Sequence, residues 1–123
     1  MMKGGEIMSE KLFYSLKINL IELGIKENKL PDLEKYLEKN KGNIIFLKNF
    51  ISKFELTKKE GEDILIFLLK NDILEIIYRV RYNFDYWDFY SIREIPKEIE
   101  VGDTIITNIL EKTFILFRVK ENE

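Results

Sequence analysis

Two pairs of acids come closest to having the spacing for chemistry. Glu60 with Asp63, and Asp85 with Asp88, are each three residues apart, and such carboxylates can share a hard, oxygen-seeking cation. Acids so placed on a helix or an exposed strand more commonly serve as solvated charge, and nothing nearby completes a site. The chain contains no cysteine and no histidine. That removes disulfides, thiolate metal sites and cysteine nucleophiles, together with the commonest general base and transition-metal ligand. No nucleophile–base pair, phosphate-cradling glycine loop or His-Glu-x-x-His helix is present, and Gly4-Gly5 and Gly102-Asp103 fit no cofactor fingerprint. The expectation is a non-enzymatic chain without metal or cofactor.

Binding residues are better represented. From Tyr82 to Tyr90 six of nine residues are aromatic, and Tyr and Trp are enriched where proteins meet. Alternation predicts that Phe84 and Tyr86 pack as strand core while other rings line an interface. Tyr86, Trp87, Phe89 and Tyr90 are the candidate interface anchors. Stacking of single-stranded bases on these rings beside Arg79, Arg81 and Arg93 is the competing use, but Asp85 and Asp88 would repel a phosphate backbone. Lys58, Lys59, Arg79 and Arg81 are the candidate nucleic-acid contacts.

Several elements must position these residues. Ser9 caps a first helix over Glu10 to Leu23, with Leu12, Phe13, Leu16, Leu20 and Leu23 at helical spacing and Gly24 as its stop. Pro31 opens a second helix through Lys39, whose thin apolar side (Leu33, Tyr36, Leu37) predicts a surface position. A third helix is expected over Ile44 to Phe54. Thr57-Lys58-Lys59-Glu60 spells a capping box opening a fourth helix to about Asn71, with Ile64, Leu65, Phe67, Leu68 and Leu69 as core positions. Gly61 inside it costs about 1 kcal/mol against Ala unless another backbone passes close by. Beyond Asp72 the period turns to alternation. A long strand is expected with Leu74, Ile76, Tyr78 and Val80 on one face and Glu75, Ile77, Arg79 and Arg81 on the other. Further strands are expected near Tyr86–Tyr90 and Glu98–Val101, then a turn at Gly102-Asp103. A hairpin of Thr104–Ile109 and Thr113–Lys120 should cross at Leu110-Glu111-Lys112.

Two abutting helices followed by a strand read as a winged helix-turn-helix. The expected class is α+β: a helical N-terminal portion containing that motif, then a small antiparallel β-sheet. Residues 1–8 are expected as a disordered leader, 9–81 as the helical winged-helix domain and 82–123 as a β subdomain. Lys3-Gly4-Gly5-Glu6-Ile7-Met8 is what a ribosome-binding site read in frame would encode. Met8 is therefore the expected natural start, with Met1 the alternative. If the fourth helix read duplex DNA, its early turns should offer cations and amides to the groove. There Glu60, Glu62 and Asp63 offset Lys58 and Lys59, and the net charge of −2 offers no electrostatic funnel. The longest apolar runs, such as Ile64 to Leu69, fall far short of the roughly 20 residues of a bilayer span. No signal peptide fits the first 30 residues, so a cytoplasmic location is expected.

Tyr78-Arg79-Val80-Arg81-Tyr82 and the later run from Ser91 to Val101 (Ser-Ile-Arg-Glu-Ile-Pro-Lys-Glu-Ile-Glu-Val) resemble a bacterial winged-helix plus zinc-ribbon arrangement. In such ribbons a Tyr-Arg-Val-Arg-Cys strand leads into one Cys-x-x-Cys, and a Ser-Leu-x-Glu-Ile-Pro-x-Glu-Ile-x-Cys run leads into a second. Their cysteines would fall near Tyr82 and Asp85, then near Val101 and Thr104. None of these is a cysteine or histidine here, so the resemblance implies a degenerate ribbon that has lost its metal. Aromatic packing must then replace roughly 10 kcal/mol or more of metal-linked folding energy. The resemblance also implies an accessory module of bacterial defence or signalling systems. Taken together, the expectation is a bacterial adaptor or regulatory module that binds a protein partner or itself. A winged-helix DNA-binding regulator and a small antitoxin or inhibitor of a basic partner enzyme stand as alternatives.

Overall fold

The computed structural model describes residues 15–121. The fold is α+β, and the chain divides into two compact units. One runs through Glu75 and resumes at Arg118; the other spans Ile76–Phe117. The expected leader, the Ser9 cap, Leu12 and Phe13 lie outside the described residues.

In the first unit, helix α1 runs through 15–23 and buries Leu16 and Leu20. Gly24 ends it at φ 127°, a conformation open to glycine, donating its N–H to the Ile21 carbonyl. A short 3₁₀ turn at Glu27–Lys29 leads into α2, Leu30–Lys39, with Pro31 in its first turn as expected. The expected surface position of α2 is corrected: Leu30, Leu33 and Leu37 are all buried. Leu30 lengthens the apolar stripe by a turn, and Tyr36 packs beside it, 5.5 Å edge-on from Phe54 and 6.1 Å from Phe50.

The third helix, α3, begins at Leu47 and ends at Phe54 rather than starting at Ile44. Ile44–Ile45 instead form strand β1. Two consecutive β-branched residues favour an extended backbone, and the C-terminal strand captures the segment just before them. The Gly42 N–H donates to the Val119 carbonyl (2.8 Å), and the Val119 N–H donates to the Asn43 carbonyl (3.0 Å). Phe50 and Phe54 are buried, with ring centroids 5.1 Å apart.

Glu55 turns the chain in the left-handed region (φ 56°), and the Leu56 N–H donates back to the Ile51 carbonyl. Thr57 then opens α4, Lys58–Lys70, through the expected reciprocal cap. The Glu60 N–H donates to Thr57 Oγ1 (3.1 Å), and the Thr57 N–H donates to Glu60 Oε1 (2.9 Å). Gly61, Ile64, Leu65 and Leu68 are buried, while Phe67 and Leu69 are half-buried. Gly61 has a packing reason, though the neighbours are side chains rather than backbone. A methyl group there would collide with Ile51 and lie 3.2 Å from Leu47 Cδ1.

Strand β2, Leu74–Tyr82, buries Leu74, Ile77 and Val80. Ile77, expected on the outer face with Arg79 and Arg81, is therefore inside, so both faces of this strand hide residues. Strand β3, Asp85–Phe89, pairs antiparallel with β2. Strands β4, Ile99–Val101, and β5, Thr104–Ile106, form a separate two-stranded sheet. The expected hairpin across Leu110-Glu111-Lys112 is thus replaced by one across Gly102-Asp103, where Gly102 adopts φ 62°. Asn108 (φ 54°) and a 3₁₀ turn at Ile109–Lys112 end the extended run early. Strand β6, Thr113–Val119, then joins the larger sheet, whose order is β1-β6-β2-β3.

Candidate interaction surface

The aromatic segment folds as the β2–β3 hairpin. Asn83 takes the left-handed conformation (φ 55°) that asparagine tolerates, and Asn83-Phe84 form a two-residue turn closed by the pair Tyr82↔Asp85. Arg81↔Tyr86, Val80↔Trp87, Arg79↔Asp88 and Tyr78↔Phe89 follow in register. Because side chains alternate along a strand, this turn decides which rings point inward.

Trp87 and Phe89 point inward. They pack, with Tyr82, Ile95, Ile99 and Val101, against the buried cluster of Val80, Ile106 and Ile109. The expectation that Phe84 and Tyr86 form the strand core is corrected. Phe84 lies in the turn and is fully exposed, while Tyr86 and Tyr90 are each 56% exposed. Of the four proposed anchors, then, Trp87 and Phe89 help hold the second unit together, and Tyr86 and Tyr90 face outward. Phe84 and Tyr86 are the rings that alternation misplaced. The signal that could have found them is Asn83, which marks the turn one residue before Phe84.

A tight polar arrangement fixes the outer face. Arg79 donates through Nε to Asp88 Oδ1 (2.8 Å) and through Nη2 to Oδ2 (2.9 Å), a two-pronged pairing. Its guanidinium carbon lies 3.9 Å from the Tyr86 ring centroid, stacked as a cation over an aromatic face. The hydrogen bonds that Arg79 donates to Asp88 are the main cause holding its pKa above the ordinary guanidinium value, against partial burial and with the Asp88 and Tyr86 charges adding to it. Farther along, the Tyr90 N–H donates to Glu94 Oε1 (3.1 Å), and Ser91 Oγ accepts from the Arg93 N–H (3.2 Å).

The acid pairs have partners of another kind. Glu60 is engaged in the Thr57 cap, Asp63 bonds Lys59 Nζ (3.2 Å), and Asp88 is held by Arg79. Among the described residues no group of three or more potential metal-ligating side chains comes together. The four candidate nucleic-acid contacts divide between the units: Lys58 and Lys59 begin α4, while Arg79 and Arg81 lie on β2. Two of the four, Lys59 and Arg79, already pair with carboxylates.

The positions set aside by the ribbon resemblance fall at corresponding places. Tyr82 and Asp85 flank one two-residue turn, and Val101 and Thr104 flank the other, each as register partners. Tyr82 and Val101 both pack on the same apolar cluster. Among the described residues no helix is long and apolar enough to cross a membrane. Comparison with protein-family models, with curated proteins and with solved structures finds no match to this chain.

Proposed function

We propose that this chain is a non-catalytic bacterial adaptor or regulatory module that docks onto protein through the outer face and tip of its β2–β3 hairpin. One observation carries the reading. Phe84 in the turn, Tyr86 on the edge strand β3 and Tyr90 just beyond it stand exposed, while Trp87 and Phe89 anchor that strand from beneath. Apolar rings gathered and exposed on one rigid support are the kind of patch that marks an interaction surface. Arg79 bound to Asp88 and stacked on Tyr86 keeps that support in one conformation.

The architecture we read here is a winged helix with an enlarged wing. The order α2–β1–α3–α4–β2 supports it, as does the position of β6 between β1 and β2. In a winged helix the strand after the wing takes that central place, so residues 83–112 stand where the wing would be. We read that insertion as a ribbon whose two turns have exchanged metal for the Val80, Ile106 and Ile109 cluster. Duplex DNA is the disfavoured use of this fold, because Lys59 and Arg79 are already paired to acids. Binding to duplex would show a log–log salt slope of about −0.9 for each phosphate neutralised.

Selection from a random-peptide display library tests the docking reading. The wild-type chain should enrich peptides that the triple variant Phe84→Ser, Tyr86→Ser, Tyr90→Ser binds at least tenfold more weakly. Equal binding by the two, with both folded by circular dichroism, would overturn it.

A further inference from the structure

We infer that the docking partner of strand β3 is β3 of a second copy, paired antiparallel about a two-fold axis at Trp87. This rests on the docking reading above and adds the occupant and its register.

The sheet order leaves β3 with one neighbour, β2. In an antiparallel pair the residues alternate between those that exchange backbone hydrogen bonds and those that do not. A two-residue turn is closed by a bonded pair, so Tyr82↔Asp85, Val80↔Trp87 and Tyr78↔Phe89 are the bonded positions. The backbone groups of Tyr86 and Asp88 therefore point away from β2, toward the open edge, and both residues are exposed.

Charge selects among the registers that keep inner and outer faces matched. Centring the axis on Asp88 would set two carboxylates directly opposite, which is unfavourable. It would also require the Tyr90 backbone, whose N–H is already given to Glu94. Centring it on Tyr86 would set Asp88 against Phe84 in the turn, where the extended backbone has ended. Centring it on Trp87 sets each Tyr86 opposite the second copy's Asp88, twice, and all four outward N–H groups find carbonyls. Each Asp88 then has its own Arg79 on one side. On the other lies the second copy's Tyr86, whose ring carries that copy's Arg79. Each Asp88 along the seam thus meets a cation-bearing ring, while Asp85 lies opposite the uncharged Phe89. A short edge strand carrying acids discourages promiscuous pairing, and this register is the one its charges favour.

Two measurements on the full chain test the inference. Sedimentation equilibrium should give twice the chain mass at high concentration. Tyr86→Pro, which removes an outward N–H without touching the β2 ladder, should weaken the dimer roughly 30-fold relative to Tyr86→Thr, since two hydrogen bonds are lost. The chain has no native cysteine, so cross-linking reads the register. Tyr86→Cys and Asp88→Cys proteins should form a disulfide when mixed and far less when oxidised separately. Bonded pairs across antiparallel strands lie about 5.5 Å apart at Cα, within disulfide reach. A monomer up to about 1 mM, the weak end of specific association, would overturn the inference. So would a dimer whose mixture cross-links no faster than its components. A monomer that still selects peptides through Phe84, Tyr86 and Tyr90 would leave docking standing and remove only the second copy as its partner.

Discussion

Gly61 gives the sharpest test of how α3 lies on α4. Inside a helix glycine costs about 1 kcal/mol relative to alanine, so Gly61→Ala should stabilise an unobstructed helix by that amount. Here the new Cβ would run into Ile51 Cγ2 and lie 3.2 Å from Leu47 Cδ1. Cγ2 hangs directly on a β-branched carbon within a helix and cannot swing aside. Overpacking of this kind costs about 1–3 kcal/mol, and the balance is a destabilisation of up to about 2 kcal/mol. Ile51→Leu moves the branch one carbon outward and clears the obstructed space, at a cost below about 1.5 kcal/mol. In that background Gly61→Ala keeps its helical gain and should stabilise by about 1 kcal/mol. Urea denaturation of the four proteins gives the coupling energy, expected at about 1–3 kcal/mol. Additivity within about 0.5 kcal/mol would show that the two residues do not compete for the same space, and would refute the reasoning.

Other perturbations follow from the same geometry. Thr57→Ala removes the oxygen that accepts from the Glu60 N–H and should cost about 1 kcal/mol in chemical denaturation; an unchanged midpoint would count against the cap. Trp87→Ala should lower stability by about 2–3 kcal/mol, less than for a fully buried indole because Trp87 is half-buried, and an unaltered melt would place the ring outside the core. Arg79→Lys keeps the charge but loses the two-pronged bond and the ring stacking, so about 1 kcal/mol should be lost; full stability would argue that the outer face is not rigid. Glu55 is held below its ordinary 4.5, first by the hydrogen bond from Lys26, then by the Lys26 and Lys29 charges. A depressed carboxyl stabilises the fold above 4.5 and loses that contribution as pH falls through the lower folded value. Lys26→Met should therefore flatten the decline in melting temperature below pH 4.5 at low salt; parallel curves for the two proteins would contradict the assignment.

Local signals in the chain were legible because their causes span only a few residues. Thr57 and Glu60 cap each other across one helical turn. Gly24 ends α1, and Gly102-Asp103 closes β4 on β5, each where the backbone enters the left-handed half of its range. The lack of cysteine and histidine bounded the chemistry before any fold was known. Tertiary structure decided what depends on distant partners. Ile44–Ile45 became a strand within a sheet that the C-terminal strand β6 completes, and no pattern near Ile44 records a neighbour so far along the chain. α2 is buried along Leu30, Leu33 and Leu37, and its Tyr36 meets the rings of Phe50 and Phe54 from α3, one tilted and one edge-on. Which rings of the aromatic run face water was decided by the position of a single turn, since a one-residue shift moves every side chain of a strand to the opposite face. That turn at Asn83-Phe84 placed Trp87 and Phe89 in the core and left Phe84 and Tyr86 in solvent. Composition supplied the aromatics, and the place of the turn chose the ones left in solvent.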